Sequence, residues 1–143
     1  MTRILILDNS VDLLYALKIF FERKGYKAKT LTSDINLISE VKNFKPDVVM
    51  LDVILNGVDA KEICKTIRNC ADIRKVRLLL TSAFPAKFAE YKQYLADDFI
   101  EKPFDLYKLE QKIKSMLLLT KNEATSYKGV GETKSNLLLL KAN

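Results

Sequence analysis

The chain has 143 residues, 48% of them hydrophobic and 29% charged, and carries a formal net charge of +6. That length and balance imply one domain with one sizeable core. Because the lysines are scattered along several predicted helices, the charge reads as a solvated surface, not a nucleic-acid reading face. With no histidine the chain has no imidazole general base, and two cysteines do not supply a tetrahedral zinc site of the usual ligands. No apolar run is long enough to span a bilayer. Cys64 and Cys70 suit a reducing compartment, and Met1-Thr2-Arg3 leads straight into a strand without a signal-peptide layout. A cytoplasmic protein with no membrane partner is the expectation.

Arg3–Leu7 is an apolar run that reads as a buried strand ending in Asp8-Asn9-Ser10. Val11, Leu14, Leu17 and Phe21 recur at helical spacing, Asn9 is a candidate cap, and Gly25 is a stop. Tyr26–Leu31 is a weaker second strand. Asp34 is a candidate cap for a helix with Ile35, Ile38, Val41 and Phe44 on its face, ended by Pro46. Asp47-Val48-Val49-Met50-Leu51 is a β-branched apolar run that delivers Asp52 to its end and breaks at Asn56-Gly57. Asp59 is placed to cap a third helix containing Ile63 and Ile67, and Val76–Ser82 is a fourth strand. Pro85 suits the first turn of a fourth helix, with Phe88, Tyr91 and Leu95 on its apolar side. Asp98–Glu101 is a fifth strand, followed by Lys102-Pro103. Asp105 then caps a last helix running toward Leu119, with Phe104 and Leu109 as a staple. Residues 123–135 are polar and read as a flexible tail, and Leu137–Leu140 is a final apolar patch.

Strands alternating with helices at this spacing predict about five βα units in a doubly wound parallel sheet, with helices on both faces. All strand carboxyl ends then lie along one edge, so Asp8, Asp52, Ser82 and Lys102 each leave a different strand toward the same place. Two nearby carboxylates repel and call for a cation between them, and hard, oxygen-preferring Mg2+ suits them. Lys102 adds a positive charge and Ser82 a hydroxyl donor. That set suits an aspartate accepting a phosphoryl group, with Asp52 as nucleophile.

ILILDN, DVVMLDVILNGVD, LLLTSA and DFIEKPF, in this order and spacing, carry a resemblance. The sequence resembles the receiver domain of two-component response regulators over residues 1–119, leaving 120–143 as a C-terminal tail. The resemblance implies a flavodoxin-like, five-stranded sheet of order 2-1-3-4-5. It implies that Asp52 is the phosphoacceptor, Lys102 the phosphate-contacting lysine, Ser82 the switch hydroxyl (with Thr81 as rival) and Phe99 the switch aromatic. A metal would be held by Asp8, Asp52 and the Ile54 backbone carbonyl. The Lys102-Pro103 peptide matches one that is commonly cis. Such a chain takes its phosphoryl group from a histidine kinase or phosphotransfer protein and is no turnover enzyme on other substrates. Its phosphorylation changes the surface of the fourth helix, fifth strand and last helix, toward a downstream protein target or a homodimer.

Departures from the family pattern sharpen the expectation. Asn9 stands where a second acid usually contacts the metal, which keeps an acceptor oxygen but removes a charge, so Mg2+ is expected to bind more weakly. Asn56 and Ala60 replace a common proline and glycine. The alternative reading is a pseudo-receiver, an interaction module whose Mg-dependent phosphorylation is weakened or lost through Asn9. An aspartyl phosphatase resembling the haloacid dehalogenase class needs a DxD pattern that Asp8-Asn9-Ser10 does not fit, and Gly129-Val130-Gly131 follows no strand and forms no nucleotide loop. No DNA-binding domain is expected after residue 119, so either output passes through protein contacts or the chain is a fragment of a longer protein.

Overall fold

The structure is a computed structural model that describes residues 1–84, 86 and 93–126. Most of the expected fourth helix from Pro85 and the Leu137–Leu140 patch lie outside the described residues; Leu95, expected on the apolar side of that helix, is in a turn at φ +55° and half exposed. The elements are β1 (Arg3–Leu7), α1 (Val11–Arg23), β2 (Lys27–Leu31), α2 (Leu37–Phe44), β3 (Val48–Asp52), β4 (Ile54–Leu55), β5 (Val58–Asp59), α3 (Lys61–Asn69), β6 (Arg77–Ser82), β7 (Asp98–Glu101) and α4 (Leu106–Ser126). Five strands form one parallel sheet of order β2-β1-β3-β6-β7. With the small antiparallel hairpin β4-β5 set aside, this is the expected 2-1-3-4-5 order.

The central strands β1, β3 and β6 carry apolar runs without alternation because both their faces are covered, while the edge strands β2 and β7 mix polar with apolar residues. Leu5, Leu7, Val49, Leu51, Leu78 and Leu80 face one core, closed by Val41 of α2 and by Cys64 and Ile67 of α3. Ile4, Ile6, Val48, Met50 and Leu79 face the other, closed by Leu14, Leu17 and Phe21 of α1 and by Leu109, Ile113 and Met116 of α4. Each such side chain contributes about 1.5–3 kcal/mol by leaving water. A one-residue slip of β1 or β3 would exchange the two cores and draw Asp8 or Asp52 into the covered sheet, where a carboxylate is costly. Packing therefore fixes where the acids emerge.

Several local expectations shift. Ser10, not Asn9, caps α1, its hydroxyl accepting the Leu13 N–H at 3.3 Å. Val11 is 66% exposed in the first turn of α1, and burial starts at Leu14. The second helix begins late, at Leu37 after Asn36, and Asp34 contributes only its backbone carbonyl to the Leu37 N–H. Ile35 is consequently in the turn before it and 85% exposed. Asp105 does cap α4, accepting the Lys108 N–H at 2.9 Å. That helix continues past Leu119 to Ser126. Cys64 is fully buried, and burial, outweighing the opposing pull of Arg68, pushes its thiol up to about 12, so it stays an inert thiol at neutral pH. Among the described residues no helix is long and apolar enough to cross a membrane.

Leu95, half exposed in the turn before β7, has φ +55°. A side chain in the left-handed region is strained where glycine is not. Leu95→Gly is expected to leave the fold intact and to raise its unfolding free energy by about 0.5–1 kcal/mol, read by urea denaturation. A lower midpoint would show that the Leu95 side chain contributes more than its backbone strain costs.

Candidate functional site

β1, β3, β6 and β7 end side by side, and the loops leaving them hold the polar residues singled out in the sequence. Lys102 lies just beyond β7, where its backbone N–H donates to the Ser82 carbonyl at 2.8 Å. Its ammonium donates to Asp8 Oδ2 at 2.5 Å and to Asp52 Oδ2 at 2.7 Å. Asp8 is buried and Asp52 nearly so, their side chains 4% and 13% exposed, against 20% for Lys102. Burial alone would lower the Lys102 pKa, but the hydrogen bonds and charges of Asp52 and Asp8 outweigh it and hold the ammonium above its usual value. Each acid spends its other oxygen locally: Asp8 Oδ1 accepts the Ser10 N–H at 2.8 Å, and Asp52 Oδ1 accepts the Ile54 N–H at 3.0 Å. The Lys102-Pro103 peptide is cis.

Asp8, Asp52 and Lys102 are thus brought into one cluster. Ser82 is buried at the end of β6, but its hydroxyl is turned to its own loop, accepting the Phe84 N–H at 2.9 Å. Thr81, paired with Asp52 across the sheet, is also buried, and its carbonyl accepts the Val53 N–H at 2.9 Å. Asn9 is exposed beside Asp8. Phe99 is half-buried on β7 with the Lys112 ammonium of α4 over its ring, 5.6 Å from the centroid, while Lys112 also pairs with buried Asp98 at 3.3 Å. Ile54 touches Asp52 through its N–H.

The donor set fits a hard cation. Two carboxylates converge on one positive charge, and all donors are oxygens. They form a pair: among the described residues no group of three His, Cys, Asp or Glu side chains is placed to hold a metal.

Sequence reasoning missed two supports. The 54–59 hairpin turns through Asn56 and Gly57, at φ +51° and +79°, which is the two-residue turn that Asn-Gly favours. Its Asp59 does less for α3 than expected: Ala60 is the N-cap residue, and Asp59 accepts the Lys61 N–H at 2.9 Å and the Tyr94 hydroxyl at 2.8 Å. At the opposite edge of the sheet, Asp97 receives Arg68, Arg77 and the Leu78 N–H at 3.0, 3.1 and 2.8 Å. Asn-Gly was a visible signal for the first; the second joins residues too distant in sequence to be paired by pattern.

A sequence model described as the response regulator receiver domain matches residues 4–114. The chain belongs to that family. It is 30% identical over 120 residues to the alkaline phosphatase synthesis transcriptional regulatory protein PhoP of Bacillus subtilis, covering 80% of this chain and 48% of that one. The heme response regulator HssR of Staphylococcus epidermidis is 27% identical, covering 82% and 52%. The chain therefore spans about half the length of the curated relatives it matches. Among solved structures, a two-component response regulator from Clostridium difficile matches with a TM-score of 0.74 at 28% identity, covering 82% of this chain and 96% of that one. Response regulator TrrA of Thermotoga maritima, solved with Mg2+ and BeF, shares the fold with a TM-score of 0.71 at 23% identity, covering 81% and 99%. Receiver domains are phosphoacceptors of two-component systems and generally bind Mg2+.

Proposed function

We propose that this receiver accepts a phosphoryl group on Asp52 from the phosphohistidine of a partner kinase or phosphotransfer protein. The observation that carries the reading is the shared ammonium of Lys102, bonded to both Asp8 and Asp52. An oxygen of Asp52 forms a bond to phosphorus as the donor's bond to phosphorus breaks, and the electron pair leaves with the donor. Lys102 is placed to take charge from the incoming phosphoryl oxygens. Asp8 and Asp52, with the Ile54 carbonyl and the Asn9 amide oxygen, would hold Mg2+, whose charge offsets that of the transferred group. An apolar recess of about 340 Å3 beside Lys102, lined by Leu13, Ala83, Pro103, Phe104 and Leu106, supports docking of a protein donor.

Phosphorylation is then a local charge event with a wider readout. Ser82 leaves its bond to Phe84 for the phosphoryl group, Phe99 repacks, and the surface around β7 and α4 changes for a downstream protein or a second copy. The domain is residues 1–119 in this reading, cytoplasmic, its last helix running on through the start of the 120–143 segment to Ser126; it receives phosphate and turns over no other substrate, binds no nucleic acid directly and sits in no membrane. With acetyl phosphate and Mg2+ added, the backbone amide resonances of Asp52, Ser82 and Phe99 should shift together. A shift confined to Asp52 would contradict the switch.

Asn9 sets the affinity for metal. Restoring the charge with Asn9→Asp is expected to lower the half-saturating Mg2+ concentration by roughly tenfold, since one more carboxylate at a divalent site is a strong local term. The pseudo-receiver reading rests on the same residue, and the same titration separates the two. Wild-type binding in the millimolar range supports the phosphate-responsive reading, and no binding at tens of millimolar, far beyond a working receiver's need, supports the other.

A further inference from the structure

We propose that Tyr94 and Asp59 are positioning residues for phosphoryl transfer, anchoring the hairpin that orients the Asp52 carboxylate. The inference rests on Asp52 being the acceptor and adds residues that lie outside the Asp8–Asp52–Lys102 cluster. Asp52 is held at both oxygens, Oδ2 by Lys102 and Oδ1 by the Ile54 N–H. The second hold is only as firm as the backbone that carries it. Ile54 opens β4, which has two residues and pairs only with the two residues of β5. A ladder that short does not hold itself in water. Asn56, Gly57 and Val58 are exposed, and on this outer part burial acts through Leu55 alone, 2% exposed in the core, which leaves the orientation of the Ile54 N–H to the inner pair.

The anchor is at the inner end. Ile54 is paired across the hairpin with Asp59, and Asp59 Oδ2 accepts the Tyr94 hydroxyl at 2.8 Å. Tyr94 is fully buried in the core between the sheet and helices α2 and α3, so its ring cannot wander. The Lys61 ammonium sits over that ring, 5.4 Å from the centroid, and the Lys61 N–H donates to Asp59 Oδ1 at 2.9 Å. The Ala60 N–H donates to the Val53 carbonyl at 2.7 Å and closes the hairpin back onto the residue after Asp52. A continuous set of bonds therefore runs from a core-locked phenol through Asp59 and the hairpin to one oxygen of Asp52. Release of that end lets the carboxylate rotate about the Lys102 contact, and misplaced nucleophiles lose rate before they lose affinity.

Tyr94→Phe removes the hydroxyl and keeps the ring. With acetyl phosphate as donor and Mg2+ saturating, its rate of phosphoryl uptake is expected to fall by about tenfold, the effect of one hydrogen bond to a charged group. Half-saturating Mg2+ should stay near the wild-type value. Asp59→Ala should show the same loss, Asp59→Asn, which keeps an acceptor oxygen, should recover most of the rate, and the double variant Tyr94→Phe/Asp59→Ala should be no slower than either single one. Rates are compared well below each variant's unfolding temperature, so general destabilisation does not mimic the effect. Wild-type uptake by Tyr94→Phe, or losses that multiply in the double variant, would overturn the proposal while leaving Asp52 as acceptor. A wild-type chain that takes up no phosphoryl group overturns the acceptor assignment and this proposal with it.

Discussion

Lys102→Ala is expected to slow phosphoryl transfer to Asp52 by on the order of a hundredfold or more, the usual effect of deleting one preorganised charge-stabilising donor. At the same time Mg2+ should bind more tightly. Both signs follow from the geometry. In the wild type one ammonium lies between two carboxylates, 2.5 and 2.7 Å from their oxygens, and is held in its charged form by them. Removing it leaves two negative charges facing each other across a partly buried gap, which a divalent cation relieves better than water does. The phosphoryl group in flight then lacks the positive charge that the lysine supplied beside the metal. Arginine should not rescue the rate, because its planar fork cannot take the place of a compact ammonium between two acids. Metal titration and uptake from acetyl phosphate, measured on the same variant, check the two signs. A parallel fall in both would mean that Lys102 merely holds the loop.

Asp97→Ala is expected to destabilise the fold by about 3 kcal/mol, the cost of breaking a largely buried ion network by removing one partner. For a domain of this size that corresponds to roughly 10 °C in Tm. Asp97 is the common acceptor for Arg68 of α3, Arg77 at the start of β6 and the Leu78 N–H. The side chains of the two arginines and Asp97 are 18%, 13% and 17% exposed, so water replaces little of what is lost. Arg68 also donates to the carbonyls of Arg74, Val76 and Leu95, which ties the α3–β6 loop to the turn before β7. The network lies at the sheet edge away from Asp52, so phosphoryl uptake by the folded fraction should stay unchanged. Calorimetry checks the first expectation and an uptake assay at low temperature the second.

The sheet was legible because its central strands carry uninterrupted apolar runs, and runs such as Ile4–Leu7 and Val48–Leu51 have no other stable place than between two helical layers. Asp8, Asp52 and Lys102 were legible as a cluster because parallel strands put their carboxyl ends along one edge, whatever the sequence distance between them. Helix boundaries were less so. Asn9 and Ser10 both suit a cap, and only backbone geometry decides that Ser10 takes the role. Ile35 follows the apolar spacing of α2 yet lies in the turn before it, since periodicity says nothing of where the first helical turn closes. Asp59, Tyr94, Arg68 and Asp97 were illegible for a different reason. Each looks like a common surface or capping residue until the fold brings it to a partner more than twenty positions away. Ser82 shows the remaining limit: its place was readable, but not its bond to Phe84 instead of the central cluster.

The role proposed for the site requires Asp52 to take a phosphoryl group although Asn9 stands where a second acid is usual. Intact-mass measurement after incubation with acetyl phosphate tests this most directly, with wild type and Asp52→Ala side by side, in saturating Mg2+ and again with the metal chelated. The expected result is one phosphoryl group on the wild-type chain, present only with Mg2+, and none on the variant. An unmodified wild type in saturating Mg2+, or equal modification of Asp52→Ala, would contradict it.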